Sequence, residues 1–139
     1  MAENNIIDQI PGFEVGAVKH VYAADGDQVH IMAAQQISEL LNRWNTSVAF
    51  FSLGCHGEQV AQLVENRSSS ARLYTVDQKN PDLNIILRKA QGMVHRKFVR
   101  AIILEGIPGK PDAAILRRIE QWSRSNRCAA VLISTTDES

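Results

Sequence analysis

The chain has 139 residues, 45% of them hydrophobic and 22% charged, with fifteen basic and fifteen acidic side chains. That length fits one domain with a real core, and balanced charge gives no bulk signal for nucleic acid or membrane. The two cysteines, Cys55 and Cys128, lie far apart in sequence, which suits a reducing compartment.

The N-terminus MAENNIIDQIPGF has neither a basic start nor a long apolar run, so it does not read as a signal peptide. No stretch approaches the roughly 20 apolar residues of a membrane span. The expected location is the cytoplasm. The charge is unevenly spread: residues 1–66 carry eight acids and two bases, Lys19 and Arg43, whereas residues 67–139 carry seven acids and thirteen bases. Such a bias fits solvated helix faces, a dipolar molecule that stacks head to tail, or a basic face for nucleic acid or an acidic partner.

Residues 1–14 read as an N-terminal arm broken by Pro11-Gly12. Ala17 to Ala23 (AVKHVYA) predicts a strand, and Ala24 to Asp27 is turn chemistry. From Gln28 to Trp44, Val29, Met32, Ala33, Ile37, Leu40, Leu41 and Trp44 recur at spacings of three and four, which predicts an amphipathic helix. Ser47 to Leu53 (SVAFFSL) is a nearly continuous apolar run, as a strand covered on both faces requires. Gly57 to Asn66 returns to helix, and Leu73 to Val76 reads as a short strand. Pro81 opens a helix that runs to about Arg96, since proline is harmless in a first turn. Phe98 to Leu104 reads as a strand, Pro111 to about Asn126 as a helix with Trp122 inward, and Cys128 to Ser134 as the last strand. Both tryptophans, Trp44 and Trp122, sit on predicted helices, where packing is the default role.

The alternation β-α-β-α-β-α-β-α-β predicts an α/β fold: a three-layer α/β/α domain over residues 15–136, with a mostly parallel sheet of about five strands and a short tail, 137–139. In such a sheet ligands bind at the carboxyl ends of the strands. The first of those loops has the position of a phosphate-binding loop. That loop type needs glycines to expose backbone N–H groups, a Lys to neutralise phosphate, and a Ser or Thr for magnesium. Here the residues are Asp25, Gly26, Asp27, Gln28 and Val29, with one glycine and two carboxylates. Two like charges about 4 Å apart repel by several kcal/mol near a protein surface, so Asp25 and Asp27 oppose a triphosphate and suit helix capping.

The second loop carries a distinctive motif. Val48-Ala49-Phe50-Phe51-Ser52-Leu53, then Gly57-Glu58-Gln59-Val60-Ala61, resembles the second-strand region of the C-terminal RecA-like domain of DnaB-type replicative helicases, which reads V-x-F-F-S-L-E-M-S before a helix that begins near E-Q. Gly12-Phe13 with Gly16-Ala17-Val18, the helix Ala33 to Leu41, the stretch Leu83 to Arg96 and the strand Ala101 to Glu105 resemble the same domain in ways generic to its superfamily. The resemblance spans about residues 12–136 and implies a RecA-like fold.

The departures from the family pattern are equally specific. The family's phosphate-loop Lys and Thr fall near Gln28 and Val29. Its water-activating Glu is replaced by Gly54. The Asp that ends the fourth strand becomes Glu105, and Ser134 falls on the sensor strand. Phosphoryl transfer depends on positioned charge and metal, so the resemblance with these losses implies a pseudo-ATPase with a degenerate Walker A loop, no catalytic residues, no cofactor and no metal. The expected role is a protein-binding or assembly module, a regulator or accessory of DNA replication, recombination or plasmid and conjugative transfer that can form a homo-oligomer; the alternative is a nucleic-acid-binding accessory protein that uses the basic C-terminal half.

The remaining features are weaker. Cys55-His56 precedes a helix, where a thiolate is favoured, but neighbouring side chains seldom converge and no third partner is evident. His20, His30, His56 and His95 show no metal-ligand spacing. Arg88, Lys89, Arg96, Lys97 and Arg100 form a basic stretch, read as a solvated face or as contacts for nucleic acid or an acidic partner. With Phe98 the one nearby aromatic, a base-stacking platform is not indicated.

Overall fold

The computed structural model describes residues 15–23, 26–43, 47–54, 56–66, 72–77, 82–106 and 113–135. Residues 1–14 and 136–139, the loop residues Ala24 and Asp25, Trp44, Cys55, Ser68 to Ser70, Pro81 and Pro111 lie outside them. The elements run in the order β1 (Val18–Ala23), α1 (Gly26–Arg43), β2 (Ser47–Ser52), α2 (Gly57–Glu65), β3 (Leu73–Asp77), α3 (Leu83–Lys97), β4 (Val99–Glu105), α4 (Ala113–Asn126) and β5 (Ala129–Thr135). All nine elements predicted from periodicity are present. No helix among the described residues is long and apolar enough to cross a membrane.

The sheet is five-stranded, with strand order β1-β5-β4-β2-β3, and every pairing is parallel. The chain therefore winds outward through β2 to the β3 edge, then returns through β4 to β5 beside β1. Crossovers of one hand put the outward helices on one face and the returning helices on the other. The core shows this division. Val29, Ala33, Ile37 and Leu40 of α1 and Val60 and Val64 of α2 pack with Val48, Phe50, Ile103 and Val131. Ile86, Leu87, Ala90 and Val94 of α3 and Ile119 of α4 pack with Ala49, Phe51, Ile102 and Leu132. The apolar run in β2 is explained by these two layers: alternate residues face opposite helices, and the whole strand is buried.

The helix ends differ in one instructive way. Asp82 caps α3, its carboxylate accepting from the Asn84 N–H at 2.9 Å. At the other end Phe98, expected as the first residue of β4, instead occupies the left-handed region at φ 57° and ψ 36° and closes α3, its N–H bonded to the Met93 carbonyl. Its ring is 69% exposed. Sequence pattern assigned it to the strand because an apolar residue beside an apolar run looks continuous with it. Arg127 closes α4 similarly, at φ 50°.

Candidate functional site

The adjacent strands β2 and β4 send their chains in opposite directions: β2 leads to α2 on one face, β4 to α4 on the other. A crevice at such a switch point is where open α/β sheets bind ligands. Ser52 ends β2 and Glu105 ends β4, and the two are direct neighbours in the register. Both are buried.

Their chemistry is turned inward. Ser52 Oγ donates to Glu105 Oε1 at 2.6 Å, a short charge-assisted bond. The same Oγ accepts the His56 backbone N–H at 2.8 Å, and His56 Nδ1 lies 3.2 Å from Glu105 Oε1. The His56 ring meets the His30 ring edge-on, centroids 4.2 Å apart. His30 Nε2 is buried without a hydrogen-bond partner.

Glycines make this closure geometrically available. A Cβ on Gly54 would sit 2.7 Å from His56 Cε1, so any other residue there presses on the imidazole that folds over Glu105. Gly106 has φ +92°, and a Cβ there would come within 3.2 Å of the Gly54 nitrogen, so the two strand-end loops touch through backbone. One strand beyond the crevice, Asp77 at the end of β3 accepts the Gly57 N–H at 3.0 Å. It does for α2 what the His56 side chain does not, since His56 occupies the N-cap position with no side-chain cap bond.

The positions singled out from sequence separate into three groups. Of the residues after β1, Asp25 lies outside the described residues and Gly26 and Asp27 open α1. Gln28 is exposed, whereas Val29, at the position matched to the family's hydroxyl, is buried in the core beneath α1. Gly54 and Glu105 come together with Ser52, His56 and His30. Among the basic residues, Arg88, Lys89, Arg96 and Lys97 are exposed on α3, and Arg100 is half-buried on β4, its guanidinium donating to the Val99 carbonyl at 3.1 Å. Arg96 and Lys97 lie at the amino end of β4, a strand length of about 20 Å from Glu105.

Sequence reasoning weighed His30 only as a metal ligand; its ring contact with His56 depends on α1 and α2 packing on the same face of the sheet. It also treated Ser52 only as a letter of a motif. His20, by contrast, belongs to the far edge, where Nε2 meets Ser134 Oγ at 3.1 Å and the ring stacks on Tyr22. Desolvation lowers its pKa below the usual 6.5. Cys128 is buried, and burial pushes its thiol well above the ordinary range, against a smaller lowering by Arg100.

The geometry constrains the chemistry. Ser52 is fully buried and donates its hydrogen bond to Glu105, and the His56 imidazole reaches Glu105 while only its backbone N–H reaches the hydroxyl. A nucleophilic serine needs the imidazole on its own oxygen, so these three residues are not a hydrolytic triad. Among the described residues, no three His, Cys, Asp or Glu side chains are grouped to hold a metal ion. Comparison with known proteins returns no matching family model and no matching curated protein.

Proposed function

We propose that this chain is a cytoplasmic, non-catalytic RecA-like module, a pseudo-ATPase used for binding or assembly with other proteins. The observation that carries this reading is the self-satisfied crevice at the ends of β2 and β4. Glu105, the residue matched to the family's magnesium-organising acid, spends Oε1 on the Ser52 hydroxyl and the His56 imidazole. Gly54, matched to the water-activating Glu, gives its space to the His56 ring. Val29, matched to the magnesium-binding hydroxyl, contributes to the apolar core.

The five-stranded parallel sheet with helices on both faces supports the resemblance on which the family part of this reading rests. Within it, three positions that need charge or hydroxyl for phosphoryl transfer contribute packing or an internal hydrogen bond. A replication, recombination or DNA-transfer partner follows from that resemblance alone.

The test is calorimetric titration with ATP, with and without magnesium, beside a phosphate-release assay. Neither heat nor turnover is expected. Micromolar, magnesium-dependent ATP binding would overturn the reading.

A further inference from the structure

The winding of the sheet sorts charge by face. Helices α1 and α2 carry four acidic residues and one Arg, while α3 and α4 carry seven Lys or Arg and one Glu. Both returning helices run antiparallel to the strands, so their carboxyl ends share the foot of the basic face. Arg96 and Lys97 stand there on α3, Arg124 on α4 and Arg127 just beyond it, all exposed. Cations at helix carboxyl ends complement the macrodipole, and that would account for them without any partner.

It does not account for Phe98. Left-handed backbone at a helix end favours glycine or asparagine, and a bulky residue there is an outlier. At 69% exposure, Phe98 is also the most exposed large apolar side chain among the described residues, ahead of Tyr22 at 49% and Ile31 at 38%. The position is thus unfavourable in backbone and unrewarded by burial, and it is bracketed by Arg96, Lys97 and Arg100. Lys97 Nζ leans back over the Tyr74 ring, 5.6 Å from its centroid, toward the sheet edge.

We propose that the foot of the α3–α4 face, where Phe98 stands in solvent next to the exposed Arg96 and Lys97, docks an acidic segment of a partner protein that seats an apolar side chain on the Phe98 ring. The inference rests on the binding-module reading and deepens it by giving the partner's chemistry. Aromatic anchors with arginines around them are typical of protein interfaces, and guanidinium pairs carboxylate in bidentate fashion. Single-stranded nucleic acid fits less well, because it stacks successive bases on several aromatics and Phe98 is the one strongly exposed aromatic on this face among the described residues. A second copy fits less well again, since the four acids of the opposite helices leave three of the seven cations unmatched.

The experiment is fluorescence anisotropy of the full chain with a synthetic peptide of glutamate and aspartate around a central leucine pair, with an all-acidic peptide and an oligothymidylate as parallel probes. The leucine-bearing peptide is expected to bind best, with salt-dependent affinity. Phe98→Gly and Phe98→Asn, both suited to left-handed backbone, are expected to lose on the order of ten-fold in that affinity while melting no lower than the parent. Arg96→Glu is expected to weaken both acidic peptides, and Glu58→Gln on the opposite helices neither. The proposal is overturned by no peptide binding, by binding indifferent to Phe98, by tighter binding of the oligothymidylate, or by concentration-dependent self-association that Phe98→Gly abolishes. None of these outcomes bears on the ATP titration, so the two readings fail separately.

Discussion

The two ends of the sheet have been treated in opposite ways. At the carboxyl ends of the strands, polar groups that would face a ligand are bonded to one another: Ser52 to Glu105, and His56 to both. At the amino ends, an aromatic ring stands in solvent on a backbone conformation that glycine would occupy more easily. At the first end the motif residues satisfy one another. At the second, no motif marks the exposed ring. The sequence motif and the most exposed apolar side chain lie at opposite ends of the sheet.

The largest expected effect lies at Ser52. If the crevice is a structural knot, Ser52→Ala removes both the donor to a buried carboxylate and the acceptor for the His56 N–H. A loss of about 2–3 kcal/mol in urea unfolding is expected, from the strength of hydrogen bonds to charged groups. A near-neutral result would mean the Glu105 carboxylate is free to serve a ligand. At the opposite end, Phe98→Gly is expected to stabilise the chain by about 1 kcal/mol, because the left-handed strain of an L-residue disappears and little burial is lost. A destabilisation of similar size would show that the ring packs after all.

A smaller effect sharpens the role of Gly54. Gly54→Ala places a methyl against His56 Cε1, and about 1 kcal/mol of destabilisation is expected from overpacking, with loss of the His30–His56 ring contact in the aromatic NMR spectrum. Smallest is the pH dependence from His20, which belongs to neither the Ser52–Glu105 crevice nor the surroundings of Phe98. Its folded pKa is lowered below 6.5, so the unfolded chain binds more protons in the window just beneath that value. His20 therefore supports stability above about pH 6.5, and that support is lost as pH falls through the folded pKa. His20→Gln is expected to flatten the melting temperature between pH 7 and pH 5.

What was legible in the sequence depended on range. The periodicities in α1 and α3 and the continuous run in β2 are local patterns, and each became the element it predicted. Element ends were less legible, as Phe98 shows, because sequence pattern registers polarity and not φ. The strand order was out of reach: nothing local says that β5 inserts between β1 and β4. That order is what brings Ser52 to Glu105, fifty-three positions later in the chain, and α1 with His30 over the same crevice. The motif pointed to the right loop, while the closure depended on Gly54 and Gly106 lacking side chains, which is intelligible only once the two loops are seen to touch.

The outward and returning halves of the chain leave the molecule electrically two-sided although its formal charge is zero and its isoelectric point is about 6.9. A neutral particle of that kind does not migrate in a uniform field, but it orients. On a cation exchanger at neutral pH and low salt it should be retained, α3 and α4 toward the resin, where its net charge alone would let it pass. Any negatively charged body would meet it in the same orientation, with Phe98 at the leading edge.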